Sequence, residues 1–195
     1  AGDRARRRTE LLMRRDAVAP RVAALLGHEP TGPESEDELR ALAKDHIPKE
    51  FQKQFARPRP IEIKPVDPRQ MISPAKTEPK KEMWMRARGK VDPDNIPLQQ
   101  CLLAYASDMG ILDTATKPHG VNWFTGGVQM ASLDHAMWFH EPFNIEEWLL
   151  YSMDSPSASG ARGFNRGEIF TEQGKLVASV VQEGLIRPRE SKFKN

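Results

Sequence analysis

Cysteine is almost missing from this chain. Cys101 is the single thiol among 195 residues, which excludes an intramolecular disulfide and leaves nothing from which to build a zinc cluster. A reducing compartment is expected, with Cys101 as a small core hydrophobe. Long apolar runs are missing too. No stretch of about 18 apolar residues occurs, so no membrane span is expected. The first residues lack the apolar segment of a secretory signal, and Ser191-Lys192-Phe193-Lys194-Asn195 does not end in Ser-Lys-Leu, the peroxisomal address. A cytoplasmic location is the expectation. The arginine-rich start would suit mitochondrial import, although Asp3, Glu10 and Asp16 count against it.

Excess charge is also scarce. A formal net charge of +2 argues against a nucleic-acid partner, and the basic residues sit mostly at one end. Residues 1–26 carry seven Arg and three acids, with no aromatic side chain among them to stack on bases. Apolar residues make up 38% of the chain, against 16 prolines and 29% charged residues. Much of the chain should therefore be loop or tail. Nearly all the aromatic and β-branched residues fall between Met83 and Ile186, which is where a core can form.

Four regions follow from the punctuation. Residues 1–33 form a basic extension. Its apolar residues between 9 and 26 suit a helix broken by Pro20 and closed by the Gly27 to Gly32 segment, and it should contribute little to the fold. Residues 34–80 read as a linker. A helix over 35–46 opens with Ser35 and Glu38 at capping-box spacing and stops before Pro48, and a strand follows at Ile61 to Val66. Residues 81–187 hold the domain, and 188–195 a tail.

Within the domain, Lys81 to Arg88 alternates as a strand. The run Leu98 to Leu112 has apolar residues over nearly its whole circumference, the mark of a buried helix. Val128 to His140, Trp148 to Met153, Ala161 to Thr171 and Lys175 to Arg187 read as further strands. The pattern is α+β: an antiparallel sheet wrapped around one long buried helix, preceded by the linker and the short helical extension.

Asp108 stands inside the apolar helix, where an unpaired carboxylate would cost several kcal/mol. Something must hold it. On one unbroken strand His135 and His140 lie on opposite faces, so they do not share a metal. Asp134 shares a face with Ser132 and Trp138 and serves as a polar anchor. Thr125-Gly126-Gly127 lacks the spacing and the lysine of a phosphate loop.

Several segments resemble one known family. Ser132-Leu133-Asp134-His135-Ala136-Met137-Trp138-Phe139-His140 and Val181-Gln182-Glu183-Gly184-Leu185-Ile186-Arg187 are similar to the second half of acyl-CoA thioesterase II enzymes. Tyr105-Ala106-Ser107-Asp108 matches their central helix, and Trp148-Leu149-Leu150-Tyr151 through Arg162-Gly163 matches the strands between. The resemblance covers roughly residues 35 to 187 and implies a hot-dog domain whose companion first half is missing here. By position it implies Asp108, Ser132 and Gln182 as catalytic residues acting on a water that attacks the thioester. Arg162 and Arg166 are candidates for binding the phosphates of acyl-CoA. Backbone N–H groups near Gly110 or Gly126 are candidates for stabilising the oxyanion.

No cofactor or metal is implied. A lone hot-dog unit leaves an uncovered edge and an apolar surface, so the expected partner is a second copy or another chain supplying the first half. An impaired subunit that binds acyl-CoA or assists assembly is the alternative. A hot-dog enoyl-CoA hydratase is disfavoured, because no His lies between Asp108 and Lys117.

Overall fold

A computed structural model describes residues 24–26, 38, 41, 59–68, 75–121 and 127–188. In chain order it contains β1 (Ile61–Pro65), β2 (Lys80–Ala87), α1 (Ile96–Ser107), a 3-10 helix (Leu112–His119), β3 (Val128–Ser132), β4 (Ala136–Phe139), β5 (Leu149–Ser159), β6 (Arg162–Thr171) and β7 (Leu176–Pro188). Every strand pairing is antiparallel, in the order β1-β2-β5-β6-β7-β3, with β4 also on β7. The sheet has an inner face that takes the helices and an outer face with its own small apolar cluster.

Alternation sets the two faces. On β2, Met83, Met85 and Ala87 join the inner core with Leu103 and Ala106 of α1 and Tyr151 of β5. Each fully buried side chain of this size contributes about 1.5 to 3 kcal/mol by leaving water. The intervening Trp84 meets Leu150 and Phe170 on the outer face. β1 is bonded along its length to β2, from Ile61 opposite Ala87 to Pro65 opposite Met83. The sheet thus extends into the region read as linker.

The N-terminal extension is not free of the domain where it is described. Ala24, Leu25 and Leu26 form a turn inside the stretch expected to be helical, and Leu25 and Leu26 pack on Trp84, Leu150 and Phe170. Glu38 and Ala41 are helical, as expected. The rest of the helices expected over 9–26 and 35–46 lies outside the described residues, as does most of the tail. No helix among the described residues is long and apolar enough to cross a membrane.

The central helix is shorter than its composition suggests. Asn95 caps it by accepting the Leu98 N–H at 3.2 Å, and it ends at Asp108, with Gly110 at φ +79° turning the chain away. Met109 and Leu112 continue the apolar pattern but not the helix. One face is buried, through Gln99, Leu103, Ala106 and Ser107. Gln99 ties that face to the strands by accepting the Ile145 N–H at 2.8 Å and donating to Asp92 O at 3.2 Å. The other face is open: Leu98, Cys101 and Tyr105 are exposed. Cys101 is therefore a surface residue and not the core hydrophobe expected.

The 3-10 helix lies against β6 and β7 where two glycines permit it. A methyl group on Gly163 would stand 2.5 Å from Ala115 Cβ and 2.6 Å from Ile186 Cδ1, and one on Gly184 would collide with Leu112.

Candidate active site

The end of α1 brings Asp108 out of the core and toward β3 and β7. Gln182, wholly buried on the inner face of β7, donates from Nε2 to Asp108 Oδ1 at 2.5 Å. Ser132, at the end of β3, donates from Oγ to the same oxygen at 3.5 Å. Among the described residues no donor meets Oδ2. The Asp108 side chain is 59% exposed, so the helix end answers the question of what holds the carboxylate: one oxygen is tethered and the other faces solvent. Asp108, Ser132 and Gln182 are thus brought together from three elements.

A β-bulge makes this possible. Ser132 pairs with Gly184 and Ala136 with Val181, so residues 133–135 stand opposite only 182 and 183. The Glu183 carbonyl accepts from Leu133 N–H at 2.9 Å and Asp134 N–H at 3.4 Å. Asp134 Oδ1 accepts the Glu183 N–H at 2.7 Å. An extra residue on one strand reverses the alternation beyond it. Val128 to His140 is therefore two strands rather than one. Asp134 is the anchor expected of it, but Ser132 and Trp138 do not share a face, since they pair with Gly184 and Ser179 on opposite faces of β7, and His135 turns in beside Ser132.

His135 was not singled out as a site residue by the sequence, yet it touches two of the groups that form the site. Its Nδ1 lies 3.0 Å from Gln182 Nε2 and 3.9 Å from Asp108 Oδ1, and its Nε2 lies 2.9 Å from Ser107 Oγ. Ser107 is also held from below, because Tyr151 Oη donates to its carbonyl at 2.9 Å. Burial, and then the negative charge of Asp108, hold the Tyr151 phenol well above its ordinary value of 10.0. It remains a neutral donor.

The turn after Asp108 is braced from β2. Lys81 Nζ donates to Asp113 Oδ1 at 3.0 Å and Oδ2 at 3.1 Å, and to Gly110 O at 3.3 Å. A side chain on Gly110 would stand 2.6 Å from that ammonium, so both its φ and its neighbour require glycine. Lys117 lies near the pair. Its pKa is lowered by burial and then by the charge of Lys81.

Arg162 and Arg166 are not brought to this site. Gly163 and Gly167 face inward to Ala115 and Tyr151, which puts the alternating Arg162 and Arg166 on the outer face. Arg166 is bidentate to Asp154, with bonds of 2.9 and 2.5 Å. Arg162 Nη1 lies 3.6 Å from Glu183 Oε2. Gly126 lies outside the described residues.

The curled antiparallel sheet around one helix is the hot-dog class. A solved hot-dog protein from Alicyclobacillus acidocaldarius matches it with a TM-score of 0.51 at 15% identity, over 67% of this chain and 47% of that one. At that identity the likeness shows the fold alone. The acyl-CoA thioesterase family model matches residues 51–185, and the chain belongs to that family. It is 43% identical over 128 residues to acyl-coenzyme A thioesterase 8 of Homo sapiens, covering 66% of this chain and 40% of the human protein. The solved structure of acyl-CoA thioesterase II TesB2 from Mycobacterium marinum is similar with a TM-score of 0.56 at 35% identity, over 86% of this chain and 59% of that one. The chain thus spans about half the length of the relatives it matches.

Proposed function

We propose that this chain hydrolyses acyl-CoA thioesters, with Asp108 as general base, Gln182 orienting its carboxylate and Ser132 orienting both that carboxylate and the attacking water. The half-held carboxylate carries this reading. Gln182 and Ser132 both bond Oδ1, which leaves Oδ2 to take a proton from a water placed against the thioester carbonyl. Attack on that carbonyl carbon forms a tetrahedral intermediate. Its collapse breaks the carbon–sulfur bond, and the proton held by Asp108 passes to the departing thiolate, which releases CoA and the fatty acid with no covalent enzyme intermediate. Arg162 and Arg166, on the outer face and already paired with carboxylates, take no part in these steps.

The working form pairs this unit with a second hot-dog unit, either another copy or a separate chain. Leu98, Cys101, Tyr105 and Asp108 follow one another at helical spacing along the open face of α1, and Leu98 and Tyr105 are 41% and 52% exposed. An apolar stripe leading to a catalytic carboxylate suits a partner that excludes water from the acyl chain.

The test is release of free CoA thiol from short-, medium- and long-chain acyl-CoA, using protein whose oligomeric state is fixed by light scattering. Asp108→Asn should keep the fold and lower the rate by about two orders of magnitude. Gln182→Ala and Ser132→Ala should each cost less, and the effects should combine far from additively because both act through the Asp108 carboxylate. A chain that binds acyl-CoA but hydrolyses none in any oligomeric state would leave the binding-module reading in its place.

A further inference from the structure

We propose that His135 is a positioning residue for this site: as a neutral ring protonated on Nε2, it joins Asp108 in fixing which way the Gln182 amide faces. The proposal rests on the reading of Asp108 and Gln182 as the hydrolytic pair, and it follows from counting hydrogens.

The Asp108 carboxylate only accepts, so the Gln182 atom 2.5 Å from it is the NH2 group, which has two hydrogens. One goes to Asp108. The other points to His135 Nδ1 at 3.0 Å, which must then be the ring nitrogen without a proton. Nε2 carries the ring hydrogen and gives it to Ser107 Oγ at 2.9 Å. The Ser107 hydroxyl in turn donates to Ala104 O at 2.9 Å, with Met137 Sδ at 3.7 Å beside it. Donors and acceptors match from the amide to the helix carbonyl. The remaining amide atom, Gln182 Oε1, is buried and meets no donor among the described residues, so Asp108 and His135 together fix the amide through its NH2 group.

Reversing the state of the ring reverses the amide. A proton on Nδ1 sets two donors against each other, and the amide can escape only by turning its oxygen toward the Asp108 carboxylate. A cationic His135 is attracted to Asp108, 3.9 Å from Nδ1, while it breaks the Gln182–Asp108 bond. Tyr151, which holds Ser107 from below, stays neutral because its pKa lies well above 10.0.

Nitrogen NMR of the imidazole in the full chain tests the tautomer without reference to turnover. At pH 8 the Nε2–H form is expected for His135, and an Nδ1–H form or an imidazolium would overturn the proposal. Kinetics test the role. His135→Asn places an amide oxygen where Nδ1 stood, so it should keep the rate within several-fold. His135→Leu should lower kcat roughly ten- to a hundredfold, the reach of a lost orienting hydrogen bond, with KM within about twofold. An unchanged kcat in His135→Leu, or a loss in His135→Asn as large as in His135→Leu, would defeat the idea. Absence of hydrolysis by the wild-type chain would instead defeat the reading of Asp108, leaving the tautomer result to stand or fall separately.

Discussion

Replacing Asp113 by Asn is expected to cost more stability than replacing Lys81 by Met, although the two residues share one ion pair. Their side chains are 15% and 6% exposed, so either change disturbs a charge largely removed from water. Breaking such a pair costs about 3 to 5 kcal/mol when the remaining charge is left alone. After Lys81→Met, Asp113 still has Lys117 nearby, and methionine refills the space of the lysine stem. That cost should be about 1 to 2 kcal/mol, well below the full penalty.

After Asp113→Asn, two buried lysines face each other with no carboxylate between them. One can give up its proton, which from an ordinary lysine value to pH 7 costs about 4.6 kcal/mol and so sets a ceiling. Asp67 and Glu82 also act on Lys117, and the expected cost is about 2 to 4 kcal/mol. The sign with pH is fixed by the same reasoning. A lysine whose folded pKa is depressed binds fewer protons folded than unfolded, so stability rises with pH and the deficit of the Asn variant should shrink between pH 7 and 9.5. Urea unfolding of the full chain at both pH values measures this. A larger loss for Lys81→Met, or a deficit that grows with pH, would refute the account of this cluster.

Gly163→Ala should destabilise by about 1 to 3 kcal/mol through overpacking against Ala115, read as a lower urea midpoint. The raised Tyr151 pKa means that the folded state holds its proton longer than the unfolded state, so this contribution to stability is complete below about pH 10 and is lost as pH rises further. Tyr151→Phe should remove that alkaline loss and, at neutral pH, cost about 1 kcal/mol for the bond to Ser107 O; denaturation at pH 8 and 10.5 compares the two. Changing both Leu25 and Leu26 to Ser should lower stability by about 2 kcal/mol, since each is half-buried on the outer cluster. An unchanged thermal midpoint would show the extension to be dispensable.

Period-two alternation made β2 legible, strand composition and turn signals did so for β5, β6 and β7, and the segments that resemble the family led to Asp108, Ser132 and Gln182. Composition was less informative where backbone conformation decides. Met109 and Leu112 extend the helical pattern of α1, but the positive φ of Gly110 ends the helix and places Asp108 at its tip. An apolar circumference suggested burial all round, whereas the chain covers only one face and leaves Cys101 and Tyr105 open. The bulge at 133–135 was hidden for another reason. Its register is set by Glu183, 49 residues from Asp134 along the chain, and no local pattern carries that information. Two adjoining polar residues, Asp134 and His135, in the middle of the stretch were the available signal of a break in alternation, and following it would have turned His135 toward Ser132.

β7 is bonded to β6 along one edge and to β3 and β4 along the other, and it follows all of these strands in the chain. Until it inserts, Gln182 is missing, the bulge has no Glu183 to close on, and Asp108 hangs from a helix end with no neighbour across the sheet. The Asp108–Gln182 bond joins positions 74 residues apart, so loop-closure entropy delays it relative to the local contacts of α1. Activity on refolding should therefore return with sheet closure and lag behind the helical signal, and a nascent chain stalled before residue 182 carries the general base without a site for it to act in.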